Sequence, residues 1–479
     1  MNWLLIAPWL VLAAYCGVVL YITPGRMLPG PFFGGSSKTG APPSALLLGV
    51  SGAITWVFAK SINNAMSLSE AFGLWGGLAY ASYWLAFIVV GVAVYFMRTR
   101  GGFRSLTQFL TLKYGAVAAK MFLVVISIRL FNEVWPNTKV TSLFFGPEGS
   151  AGYWAAAAVL TVFTVFYSWR GGLRSSILTD AMQMLLISVL LVVTLVAFIP
   201  GLFAQGWPTV DAGVTPAMQA GGLTFLGLAL VQVLSYGFHD PVITDRAFIS
   251  PPLSMLLGFV IAAALGGGMI AAFSVAGLYA ISMGIAADPS VAVAVPAAIG
   301  LWMSLIFNAV MLTSAGSALD STFTSSAKFA ARDWPGRTDE APNAAQVSFG
   351  RKAMIAIAII GNLPLLSLYI NGVGPAVIAA TTISGTAIMG LAPISLLGWI
   401  RPAGTLSFHL ALWPGVIMGV MLVIQKFLGV TMIAPWMEIG SGAYAQTLGI
   451  NAWGLLICTG GYLTGAAVNV RVLRPRVAH

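Results

Sequence analysis

Charge is scarce in this 479-residue chain. Only 8% of its residues are Asp, Glu, Lys or Arg, while 58% are hydrophobic; a soluble domain carries about 25% charged residues. With a mean hydropathy of +0.91, the chain has too little polar surface for a water-soluble globule. It reads as an all-α polytopic membrane protein. Cysteine and histidine are scarcer still. Cys16 and Cys458 fit neither a disulfide framework nor a metal cluster, and His239, His409 and His479 lie far apart. There is no nucleophile elbow and no phosphate loop, so an enzyme is not expected. Nor is a cofactor, a coupling ion aside, or an obligate protein partner. The formal net charge of +10 would suit nucleic acid, but the basic residues are scattered through loops, and membrane topology explains them better.

What is present is a series of apolar runs. A spanning helix needs about 20 mostly apolar residues. That rule gives about thirteen spans, numbered 0 to 12: 1–23, 44–68, 72–97, 114–136, 151–169, 175–200, 221–243, 254–284, 296–328, 351–371, 374–399, 405–427 and 451–471. The first segment, "MNWLLIAPWLVLAAYCGVVLYIT", has no basic residue before its apolar run; Arg26 follows it. It reads as a retained helix and not a cleaved leader. Loops after even-numbered spans hold nearly all the basic residues, Arg98, Arg104, Arg174, Arg246, Lys328 and Arg401 among them, and also Lys38, Arg474 and Arg476. The other side holds only Lys139 and Lys426. Retained positive charge marks the cytoplasmic face, so the N-terminus is expected outside and the C-terminus inside a plasma (inner) membrane.

Five ionisable residues within spans or near their centres stand out as site candidates: Lys60, Arg129, Glu133, Asp180 and Asp320. Such residues usually face the bundle interior or a water-filled cavity. In span 8, "LTSAGSALDSTFTSSAKFAARDW" places Ser314, Ser317, Asp320, Ser321 and Thr324 on one helical face. Hydroxyls and a carboxylate are hard oxygen ligands, suited to an alkali cation or a proton path. Ser176, Thr179, Asp180 and Gln183 share a face of span 5. Span 1 is interrupted by "AKSINNAMS", and broken helices in carriers expose helix ends and carbonyls at the solute site. Arg129 and Glu133, four residues apart, either pair with each other or meet a solute.

Four stretches together resemble the sodium/solute symporter family, the group of the sodium/proline, sodium/glucose and sodium/sialic acid carriers. They are "GPFFGGSS", "FRSLTQFLTLKYG", "YSWRGGLRSSILTDAMQ" and "SALDSTFTSSAKFAARD". The resemblance runs over most of the chain and implies a leucine-transporter-like fold: two inverted five-helix repeats. The expected division is 1–43 for the first helix and its loop, 44–399 for the core (44–200 and 221–399), and 400–479 for two further helices and a tail. It also implies a core sodium site at Ala59, Ile62, Ser314 and Ser317. A second cation or proton site would use Asp180, Asp320 and Ser321 along with Ser317. A solute site would include Asn63, Asn64, Met66 and Glu133. Three positions depart from the pattern: Ala318 replaces a hydroxyl, Lys60 lies between two sodium-binding carbonyls, and Asp320 adds a second carboxylate.

The function expected is a secondary carrier that imports a small polar solute by alternating access with sodium symport. In a second version, proton-coupled or ion-independent, Lys60 replaces the core sodium. A reading of another class is a transporter-like sensor, although the tail "RVLRPRVAH" is too short for a signalling domain. Lys60 lies some eight residues from the end of its span, about 12 Å at 1.5 Å per residue, too far to snorkel. It either contacts an anionic solute or acts as a built-in cation beside Asp320 or Asp180; the second is favoured here. The topology is checked by single cysteines in a cysteine-free background. Placed in loops 98–113 and 329–350, they should resist membrane-impermeant thiol reagents in intact cells, and labelling from outside would refute the orientation.

Overall fold

In the computed structural model, residues 3–37, 39–206, 214–338, 340–370 and 385–473 are described. Among these there is no strand. The helices are α1 (Trp3–Ile22), α2 (Pro29–Gly34), α3 (Ala45–Trp56), α4 (Ala59–Ala81), α5 (Leu85–Thr99), α6 (Leu106–Tyr114), α7 (Ala116–Ser142), α8 (Ala151–Ala204), α9 (Pro216–Tyr236), α10 (Pro241–Arg246), α11 (Pro252–Phe273), α12 (Val275–Met283), α13 (Val291–Ile299), α14 (Leu301–Lys328), α15 (Ala344–Ile360), α16 (Leu391–Leu396), α17 (Thr405–Leu428) and α18 (Ala445–Leu473). The first part of the expected span 374–399 lies outside the described residues, as do Lys38, Arg474 and Arg476.

Seven helical stretches among the described residues are long and apolar enough to cross a membrane. Two of them are too long to cross once. α8 has 54 residues, about 80 Å at 1.5 Å per residue, against a hydrocarbon core of about 30 Å. It divides at Gly172, whose φ of 58° and ψ of −150° belong to a region that is essentially glycine-only. The stretch Ala59–Thr99 divides in the same way at Gly73 (φ 64°). Spans 4 and 5 and spans 1 and 2 are therefore recovered as separate crossings.

Two spans are interrupted within the bundle. Span 1 stops at Trp56 and restarts at Ala59, so the break lies just before "AKSINNAMS", the stretch expected to interrupt the span, which is itself helical. Span 6 stops at Tyr236, passes through a 3-10 turn at Gly237–His239 and restarts at Pro241. α14 sits at the centre, packed against α1, α3, α7, α8, α10, α13 and α15. Every residue from Val310 to Ala327 on it is buried, so the serine stripe faces protein and not lipid.

Gly172 also allows a close approach. A Cβ there would lie 2.5 Å from the Phe32 carbonyl oxygen. Gly172→Ala should lower the thermal unfolding midpoint, with about 1–3 kcal/mol from backbone strain alone. Gly268→Ala is the control: a Cβ at Gly268 meets nothing within 4 Å, so that variant should be neutral or slightly stabilised.

Candidate functional site

The site is organised by α10, a helix of six residues, all of them buried. In "GFHDPVITDR", Asp240 precedes Pro241. A carboxylate at the N-cap and proline at the first position are strong helix-start signals. The Asp240 side chain accepts the Val242 N–H at 2.9 Å, and one and a half turns later α10 ends at Arg246. Both ends carry buried charge, and each end joins a different cluster.

At the Asp240 end, four ionisable side chains form a chain of ion pairs. Lys60 Nζ donates to Glu133 Oε1 at 2.7 Å. Arg129 binds the same oxygen with one guanidinium nitrogen. It also donates to Asp240 Oδ2 through Nη2 at 2.8 Å and Nε at 3.1 Å. The indole of Trp56, the last residue of α3, adds a hydrogen bond to that carboxylate at 3.0 Å. Phe58, in the break of span 1, faces the Lys60 ammonium at 5.1 Å and the Arg129 guanidinium at 5.7 Å, within range for cation–π attraction. Two positive and two negative charges cancel, which is how such a group is tolerated in a membrane interior.

A cavity of about 700 Å³ opens beside this quartet. Lys60, Asn63, Asn64 and Arg129 line it, with Trp56, Tyr80, Trp135 and Tyr236. Lys139 also reaches the wall, and among the described residues no carboxylate does. Glu133 lies behind Lys60 and Arg129, and its Oε2 has no hydrogen-bond partner. Met66 is fully buried and off the wall. A second cavity, of about 350 Å³, is lined by Pro241, Thr244 and Asp245 of α10 together with Lys328 and Asp333.

At the Arg246 end is the inner cluster, all of it buried. Asp180 Oδ1 accepts from Ser317 at 2.5 Å. Its Oδ2 accepts from Ser51 at 2.6 Å and from Arg246 Nη2 at 3.1 Å. Arg246 also donates to Thr55 (3.2 Å), Ser321 (3.0 Å) and, through Nε, Ser51 (3.0 Å). Asp320 accepts only from hydroxyls: Ser176 at 2.7 Å, Tyr167 at 2.9 Å, Thr179 at 3.0 Å and Ser321 at 3.2 Å. Gln183 faces away from it, donating to Tyr15.

Spans 1, 5 and 8 thus meet at Asp180, Asp320, Ser317 and Ser321, while Lys60 stands apart on Glu133. The ammonium is not beside Asp180 or Asp320. The cation there is Arg246, which the loop-charge reading placed in cytoplasmic water; it is 0% exposed. Asp240 was missed with it. The signal was available in Asp240–Pro241, a helix start inside what hydropathy treats as one span.

The oxygens proposed for a core sodium ion divide in two. Ala59 and Ile62 lie in the first turn of α4, where their carbonyls serve the helix ladder. At the end of α3, Val57 N–H closes on Ala53 and Ile54, and the carbonyls of Thr55 and Trp56 are left without a ladder partner. The Lys60 N–H that would have served Trp56 bonds to Asn137 Oδ1 instead, at 3.2 Å. On α14, the Ser314 hydroxyl is buried with no partner. Freed carbonyls and an orphaned hydroxyl are the chemistry an alkali cation takes. At the inner cluster, by contrast, a guanidinium fills the place beside Asp180.

No family model matches the chain, and no curated protein matches it. Solved structures do. A Na+-coupled sialic acid symporter, in a substrate-bound outward-open state, aligns at 14% identity over 96% of this chain and 98% of its own, with a TM-score of 0.69. Mhp1, a nucleobase-cation-symport-1 family transporter in a closed conformation, aligns at 13% identity over 93% and 95%, with a TM-score of 0.50. The chain is a multi-pass membrane protein with the leucine-transporter-like fold of these carriers.

The inner ion pair generates a stability prediction. Breaking a buried pair by removing one partner costs about 3–5 kcal/mol, whereas replacing both with apolar groups is often near neutral. Arg246→Met should therefore sharply lower the unfolding temperature in detergent, and Asp180→Leu/Arg246→Met should recover most of the loss. Equal damage in both variants would show that the pair itself is not the source.

Proposed function

We propose that the chain is a secondary active carrier that moves a small polar solute across the membrane by alternating access. The observation that carries this is a pair of cavities at the meeting of two interrupted spans, the larger lined by Trp56, Phe58 and Tyr236 beside the two breaks and the smaller by Pro241, Thr244 and Asp245 of α10. In inverted-repeat carriers, discontinuous helices in corresponding positions of the two halves bracket the solute site near mid-membrane. Spans 1 and 6 occupy such positions in the division 44–200 and 221–399. The larger cavity lies on the side of Lys139 and the smaller on the side of Arg104. With the N-terminus outside and the C-terminus cytoplasmic, these are the outer and inner vestibules.

The wall composition argues for the solute's charge. Among the described residues its charged side chains are Lys60, Arg129 and Lys139, without a carboxylate, and Lys60 has donors beyond the one on Glu133. Aromatic rings make up much of the remainder. An anionic solute with a partly apolar body fits this surface.

Sodium is the coupling ion that the sequence resemblance and the sialic acid carrier favour. Its place would be the core site, at the freed end of α3 and Ser314. The measurement is uptake of a solute library into proteoliposomes, with and without a sodium gradient. Anionic solutes should accumulate, and Ser314→Ala should raise the half-maximal sodium concentration about tenfold, equivalent to about 1.4 kcal/mol. No accumulation of any solute under sodium or proton gradients would overturn the carrier reading. Sodium-driven uptake untouched by Ser314→Ala would move the ion elsewhere.

A further inference from the structure

We infer that the guanidinium of Arg246 is a tethered cation that holds the inner site permanently, so that no sodium ion binds at Asp180. The inference rests on the carrier reading for its meaning but not for its test. Four oxygens surround the Nη2–Nε edge of Arg246: Asp180 Oδ2, Ser51 Oγ, Thr55 Oγ1 and Ser321 Oγ, all at 3.0–3.2 Å. One carboxylate and three hydroxyls, drawn from α3, α8 and α14, are the oxygen set a sodium ion would take. The third nitrogen, Nη1, is tied to the Val242 carbonyl at 3.2 Å. The guanidinium is fully buried; Nε–H has Ser51 as its acceptor, and the two N–H groups of Nη2 are shared among Asp180, Thr55 and Ser321. A guanidinium and a sodium ion cannot share those oxygens.

The route by which Arg246 arrives matters as well. It comes from the restarted half of span 6, on a helix whose other end is held by Arg129 and Trp56. A free ion would leave the site in each cycle. A cation on α10 leaves only if α10 moves, so it fixes the charge of the inner site without being transported. The carrier then couples to one cation fewer than a relative in which Asp180 binds sodium. The charged groups facing this cation are Asp180 on α8 and, through Ser321, Asp320 on α14.

The test is radioactive-sodium binding by equilibrium dialysis on the purified full-length protein. It needs no transport and no knowledge of the solute. Arg246→Ala should bind one sodium ion more per molecule than the wild type, and Asp180→Asn/Arg246→Ala should lose that extra ion. Arg246→Lys, which keeps a resident cation, should show the wild-type count. Equal counts in the wild type and Arg246→Ala would overturn the proposal, as would an extra ion that survives loss of Asp180. If Arg246→Ala fails to fold, Ser321→Ala in the wild-type background decides. Unchanged sodium affinity, or no sodium bound by the wild type at all, supports a filled site, and a tenfold loss of affinity refutes it. Failure of the carrier reading would show separately, as absence of solute accumulation with these binding counts intact.

Discussion

A six-residue helix held at both ends by buried charge is the constraint on which the rest of the interior depends. Taking an ion out of water costs several kcal/mol even after relaxation, and only close, well-bonded partners offset it. Asp240 therefore requires Arg129, and Arg246 requires Asp180. Those two demands fix α10 against α7 on one side and against α8 on the other. Ser51 and Thr55 bring the end of α3 to the same point, and Ser321 brings α14. The two chain interruptions are part of the same arrangement. Trp56 closes α3 with its indole on Asp240, so the break in span 1 lies against the restart of span 6.

Charge is balanced differently at the two ends. Around the larger cavity, Lys60 and Arg129 are matched by Glu133 and Asp240. Around Arg246 there are two carboxylates for one cation. Among the described residues no basic side chain pairs with Asp320, which is held by four hydroxyls. Two of those hydroxyls have a second acceptor in reach: Tyr167 at the Gly316 carbonyl and Thr179 at the Ser175 and Ser176 carbonyls. Each hydroxyl carries one proton, so the shell around Asp320 can turn. The shell around Asp180 is fixed by the guanidinium.

Much of this was legible before any coordinates. The serine stripe of span 8 has helical spacing, and spacing survives folding, so its convergence with Asp180 follows from burying both polar faces. The break in span 1 was visible as polar residues in an apolar run. Arg129 and Glu133 stand one turn apart and do pair. Two things were hidden. Hydropathy segmentation assumes that a span, once ended, delivers the chain to water; at span 6 the chain ends one helix and starts another inside the bundle. Arg246 was counted as a loop charge for that reason, and its loss from the cytoplasmic side leaves the asymmetry of the remaining loops intact. The direction of Lys60 was hidden because helical phase is lost at a break. Positions beyond Phe58 cannot be projected from those before Trp56, so the sequence could not choose between Glu133 and the aspartates.

The consequence of that direction is mechanical. On the carrier reading, an anionic solute in the larger cavity would approach Lys60 and Arg129, the two cations that also serve Glu133 and Asp240. Arg129 has two N–H groups beyond the three given to Glu133 and Asp240, and a solute anion that takes them shares the positive charge that holds Asp240. Asp240 caps α10 through Oδ1 and takes Arg129 on Oδ2, so it is the tie of this end of α10 to α7 that weakens. Arg246 sits six residues further, about 9 Å at 1.5 Å per residue, on a helix too short to bend much within itself. Loosening one end therefore leaves the helix held by the other, where Arg246 stays on Asp180 as the cation of the inner cluster. A solute's charge and the inner site would thus be linked through a rigid lever with an ion pair at each end, with no ion travelling between them.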